Sequence, residues 1–166
     1  TLFQTCALPI SNANTIVDAI CEADKANCEA QITQFFRSVR ISKAIIAASN
    51  LIKLVQNREK LLILVKAVEG SQQAREICNH IARTSDLAKQ LFKTLNHNHI
   101  NDFISSNATV VFEMLKVAVV HADDDDITGV MREISEERLM DVVKDSHALK
   151  EFSDFIKAAQ DKGVAI

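Results

Sequence analysis

Four consecutive aspartates, Asp123 to Asp126, followed by Thr128 and Gly129, make the densest set of oxygen donors in the chain. Carboxylate and hydroxyl oxygens at alternate positions, with a glycine at a sharp turn, are what a hard divalent cation such as calcium takes as ligands. Asp124, Asp126 and Thr128 stand at that spacing and are the candidate metal ligands. The same acids have a use without metal, because carboxylates at the start of a helix from Ile127 face the positive end of its macrodipole. His97 and His99 flank Asn98, and two imidazoles can share a metal, but zinc takes three or four ligands and the surroundings supply no others. His121 reads as a favourable cation at a helix C-terminus. Glu133, Glu136 and Glu137 lie about one turn apart beside Arg132 and Arg138. Such acids do proton-transfer work only in a pocket that shifts their pKa values, and pairing along a helix surface is the simpler account. The chain holds no His-Glu-x-x-His, Cys-x-x-Cys, glycine-rich phosphate loop or Gly-x-Ser-x-Gly elbow. No catalytic residue and no cofactor is therefore expected, and the chain reads as a non-enzyme, with an enzyme whose site is assembled from scattered residues as an alternative.

Counted from Asp124, this segment resembles an EF-hand loop, with Asp126, Thr128 and Gly129 at its third, fifth and sixth positions. It departs at the twelfth, where Ser135 stands in place of the bidentate Glu and Glu136 comes one residue late. The resemblance implies, as an alternative function, a calcium-responsive helical protein with a degenerate loop over residues 124–135.

Basic residues give a different lead. From Arg37 to Lys66 there are seven cations and only Glu59 to oppose them. Arg37, Arg40 and Lys43 are the candidate partner-binding residues, for phosphates or an acidic partner, with a solvated helix face as the alternative. Residues 1–122 carry +3 and residues 123–166 carry −6, for a net −3. That asymmetry can orient a protein partner and falls short of a nucleic-acid footprint. With eight Phe but no Trp or Tyr, a stacking platform for single strands has little material.

The elements that must hold these residues are helices. Among 166 residues there are three Gly and one Pro, while 48% are apolar. Strand-rich folds need many such residues at turns, and a chain this long buries a sizeable core. The longest apolar run, Leu61 to Val65, is far short of the ~20 residues of a membrane span. Cys21 and Cys28 lie seven apart on one expected helix, too far for a disulfide, and Cys78 between Ile77 and Ile81 reads as a core thiol. A reducing cytoplasmic or other intracellular setting follows as the expectation. Asn107-Ala108-Thr109 is a formal glycosylation sequon.

A first helix capped by Asn12 or Asn14 runs to about Ala30, with Ile32 to Val39 continuing its pattern. Ser42 caps a stripe through Val55, Gln56 to Lys60 is a turn, and Leu61 to Val68 is apolar nearly all round. Gly70 and Gly163 suit the left-handed position past a helix end, and Thr84-Ser85-Asp86 is a stop followed by a fresh cap. A short helix near Ile100 to Ile104 precedes one capped by Asn107 and running to Val119. Val130, Ile134, Met140 and Val143 mark one further helix, and Leu149, Phe152, Phe155 and Ala159 the last. Eight or nine short helices suit stacked hairpins better than a four-helix bundle.

Two resemblances bear on the organisation. Gln4-Thr5-Cys6-Ala7-Leu8-Pro9-Ile10 resembles the conceptual translation of a sequencing-adapter oligonucleotide. That implies a non-native or disordered leader over residues 1–11 and one all-helical domain over 12–166, either complete or a piece of a longer chain. Leu62 to Ser71, followed by Ala74 through Ile77, Asn79, Ile81 and Ala82, resembles an armadillo or HEAT unit over residues 61–82, without the family's proline. The expected fold is all-α, an armadillo/HEAT-like solenoid fragment of antiparallel hairpins or an irregular helical bundle. The expected function is a protein–protein interaction or scaffold module.

Overall fold

With so few residues that break a helix, each stop in this chain needs a specific local device. The computed structural model describes residues 18–20, 22, 25–38, 48–97 and 99–165, and every regular element among them is a helix. Among the described residues the helices are α1 (Lys25–Ser38), α2 (Ala48–Val55), α3 (Arg58–Val68), α4 (Gln72–Arg83), α5 (Ser85–Leu95), α6 (Ile100–Ala118), α7 (Asp124–Glu133), α8 (Glu136–Val143) and α9 (Ser146–Lys162). The expected leader and the Ser42 cap lie outside the described residues.

Several stops are those expected. Asn57 caps α3 by accepting from the Lys60 amide at 3.1 Å, so Gln56 and Asn57 make the turn after α2. Gly70 (φ 73°) follows α3 and Gly163 (φ 96°) follows α9, both in the left-handed region that a Cβ disfavours. Thr84 serves α4 as its C-cap and α5 as its N-cap. The connector before α6 is turned differently. His97 (φ 66°) and His99 (φ 57°) are left-handed without being glycine, a strain on the order of 1 kcal/mol each. Glu133 holds the first of them, its Oε1 accepting from the His97 amide at 2.8 Å.

The two helices expected around Asn107 are one element with a bend. Asn107 (φ −129°, ψ 30°) breaks the helical dihedrals inside α6. The single helix expected from Val130 to Val143 is instead two. α7 ends at Glu133, and Ser135 caps α8 by accepting from the Arg138 amide at 3.2 Å. Asn101 of α6 fixes that break, accepting from the Ser135 amide at 2.9 Å and donating to the Glu133 carbonyl at 2.8 Å. The break turns Met140 and Val143 outward, 57% and 50% exposed, where the periodicity placed them in the core.

The core forms around α6, which packs against α3, α4, α5, α7, α8 and α9. Its buried residues include Ile100, Phe103, Ile104, Val110, Val111, Phe112, Met114 and Leu115. Phe112 meets Phe152 and Phe155 of α9 at ring-centroid distances of 4.9 and 6.4 Å, and Phe155 meets Phe92 of α5 at 6.1 Å. α3, apolar on most sides, is covered by α1, α2, α4 and α6. Arg58 at its start reaches Asp102 at 2.7 Å and lies 5.6 Å from the Phe103 ring centroid, fixing the start of α3 on the start of α6. No helix among the described residues is long and apolar enough to cross a membrane.

Candidate functional site

Where α6 bends, its backbone ladder opens and the neighbouring helix ends gather. Val110 lies three residues past the break at Asn107, and its amide has a side-chain acceptor. The acceptor comes from another helix. Glu69, just past α3, places Oε2 3.3 Å from the Val110 nitrogen. The buried Asn107 Nδ2 has no hydrogen-bond partner, at a cost of about 1–3 kcal/mol. Its burial also closes the sequon, since a glycan acceptor amide must be reachable.

Beside this bend is a cleft of about 130 Å³, whose polar lining comes from Glu69, Ser105, Ser106, Thr109, Asp141 and Asp145. α8 supplies Asp141, and Asp145 is the cap of α9, with Oδ1 accepting from the His147 and Ala148 amides at 2.9 and 3.2 Å. Among the described residues three carboxylates line the cleft, and no Lys or Arg does. Arg138 and Lys144 reach Asp141 only from outside that lining, at 3.5 and 4.0 Å. Pockets for drug-sized ligands run to roughly 300–1,000 Å³, so this one suits the head of a single side chain better.

The charges strain against one another. Burial pushes the Glu69 pKa above the usual carboxylate range, and the like charges of Glu113 and Asp145 add to the rise, while the Val110 amide opposes it. Glu113 is raised as well, by burial and then by Glu151, with Lys116 and Arg75 opposing. Glu151 is held by Lys116 at 2.6 Å, and Lys150 joins Asp154 at 2.9 Å, so a band of acids continues from the cleft along α6 and α9. Beneath it burial pushes the Cys78 thiol up to about 12, which leaves it an inert core thiol as the sequence suggested. His80 is buried with Nε2 unpartnered, and burial lowers its pKa.

The sequence candidates lie elsewhere. Asp124, Asp126 and Thr128 stand within α7, so the open calcium loop expected over residues 124–135 is replaced by helix as far as Glu133. Their carboxylates already have cations: Lys93 bridges Asp123 and Asp126 at 3.2 Å each, and Lys162 reaches Asp124 at 3.5 Å while donating to the Ala122 carbonyl. Asn96 donates to Asp126 at 3.0 Å. These acids dock α7 onto α5 and α9. Among the described residues no group of three or more His, Cys, Asp or Glu can hold a metal. The exposed His97 pairs with Glu133 at 3.3 Å. Arg37 lies in α1 with its side chain outside the described residues, as are Arg40 and Lys43 entirely.

Sequence reasoning missed Glu69, Asp141 and Asp145 because they are spread over 77 positions and meet only through the bend. The one local signal was Asn107, read as a helix cap and found as a break inside α6. No protein-family model, no curated protein and no solved structure matches this chain.

Proposed function

We propose that this chain is a non-enzymatic interaction module whose protein partner presents a Lys or Arg side chain to the cleft of Glu69, Asp141 and Asp145. The observation that carries the reading is a small cleft lined by three carboxylates and no cation. A cationic head entering it relieves the mutual repulsion of the acids, which is differential binding energy available to a partner. The −6 charge of residues 123–166 favours the approach of such a partner and disfavours nucleic-acid phosphates. Ser105, Ser106 and Thr109 add hydroxyl acceptors around the head. As a scaffold of helices, the chain offers such a surface on a rigid frame. The buried Cys78 thiol fits a reducing intracellular setting.

Calorimetric titration with a short arginine peptide, against the same peptide with citrulline, tests this. Binding of the arginine peptide alone, lost in a Glu69→Gln, Asp141→Asn, Asp145→Asn variant, is the expected result. Asparagine still caps α9, so the variant removes charge and leaves the helix start intact. Equal binding of both peptides, or none, contradicts the proposal.

A further inference from the structure

We infer that Glu69 is the proton-exchange residue of the cleft: it gives up a proton as the partner's cationic head enters, so docking weakens on acidification. This deepens the function proposed above and rests on it. Three carboxylates share a cleft of about 130 Å³, and the fold answers their charges unequally. Asp145 has two amides of α9 on Oδ1, at 2.9 and 3.2 Å. Asp141 has Arg138 and Lys144 at 3.5 and 4.0 Å. Glu69 has the Val110 amide, a neutral donor, at 3.3 Å on Oε2. No Lys or Arg among the described residues pairs with it. Of the three, Glu69 is the acid whose charge most needs a cation from outside. Its Oε1 is the oxygen left to meet that cation, or to carry a proton in its absence.

The groups around Glu69 set the direction of the exchange. Burial acts on it most, and the like charges of Glu113 on α6 and Asp145 at the head of α9 add to that effect. The Val110 amide opposes them, and Asp141 of α8 stands in the same lining. The cations of the neighbouring elements are engaged elsewhere: Arg75 of α4 and Lys116 of α6 act on Glu113, and Arg138 and Lys144 hold Asp141. Glu69 therefore keeps its proton to a higher pH than an ordinary glutamate. A cationic head pairs with the ionised form, so its entry sends the proton to solvent, and protonation in turn weakens the head's hold. This is linkage between two ligands of one carboxyl group, and no backbone movement is needed. With the folded value raised, affinity is full above it and is lost as pH falls through it. The loss reaches about tenfold per pH unit when one proton is exchanged. An arginine side chain stays charged throughout, so the change belongs to the cleft.

The test is the 13C shift of the Glu69 side-chain carboxyl, followed through its titration in the free chain and in the chain saturated with the short arginine peptide. The midpoint is expected to fall when the peptide is bound, and peptide affinity to drop across the same pH interval. Glu113→Gln removes a like charge without altering the cleft lining. It is expected to lower the free Glu69 midpoint and to carry the pH at which affinity is lost down with it. A midpoint that is the same with and without bound peptide overturns the proton exchange and leaves the docking proposal standing. So does a loss of affinity that follows the titration of Asp141 or Asp145 instead of Glu69. No binding of the arginine peptide at any pH overturns the docking proposal and this inference together.

Discussion

Glu69 Oε2 accepts a hydrogen bond of 3.3 Å from the amide of Val110, forty-one positions away, and so caps the second half of a helix to which it does not belong. The same residue closes α3, donating its own amide to the Val65 carbonyl at 3.1 Å. The end of one helix is thereby tied to the restart of another, and the acidic cleft is a by-product of that tie.

Glu69 and Glu113 both have folded-state pKa values raised above the ordinary glutamate value of 4.5, chiefly by burial. A raised value means that the folded state binds protons more readily than the unfolded one. The stabilisation from protonation is full below about 4.5 and is lost as pH rises through the raised folded values. Glu113→Gln is therefore expected to raise the thermal midpoint at pH 7 and to flatten the gain that the wild type shows on mild acidification. Thermal melts at pH 7 and pH 5.5 check both effects, and a lower midpoint at pH 7 contradicts the electrostatic account of this seam.

Gly129 is where α7 passes the end of α5. A Cβ there would sit 2.2 Å from Asn96 Oδ1 and 2.7 Å from its Cγ, and Asn96 is anchored on Asp126. Gly→Ala inside a helix ordinarily stabilises by up to about 1 kcal/mol. Here the clash reverses the sign, for a net loss of about 1–2 kcal/mol. Chemical denaturation of Gly129→Ala measures it, and Asn96→Ala in the same chain is expected to recover much of the loss by removing the obstacle.

Phe112→Ala is expected to cost about 3–5 kcal/mol, because its ring is wholly buried between Phe152 and Phe155. Met140→Ser and Val143→Ser, both at exposed positions, are expected to change stability by no more than about 0.5 kcal/mol. Urea titrations compare the three directly. A large loss at Met140 or Val143 would mean that α8 faces the core after all.

These contrasts show what the sequence could and could not say. Helix class and several ends were legible because their causes are local: Gly70, Thr84 and Gly163 each act on residues within one turn. The α7–α8 break was not, because Asn101 fixes it from thirty-four positions away. The four aspartates were conspicuous as donors, yet their partners Lys93 and Lys162 lie on α5 and α9. The acidic cleft was illegible for the same reason, since Glu69, Asp141 and Asp145 are ordinary surface acids until α6 bends.

Calcium supplies a further check. With α7 already helical from Asp124 and its acids paired to lysines, millimolar calcium is expected to leave the far-ultraviolet circular dichroism unchanged. A gain in helicity or a binding heat would restore the EF-hand-like alternative.

The central claim is that the cleft between α3, α6, α8 and α9 receives a cationic side chain. The most direct test is a two-dimensional amide spectrum of the 15N-labelled chain, titrated with an arginine peptide and with its citrulline counterpart. The account predicts shifts at Ser106, Thr109, Val110 and Ala148 with arginine alone, weakened by salt. Shifts scattered over other faces, or the same shifts with citrulline, would contradict it.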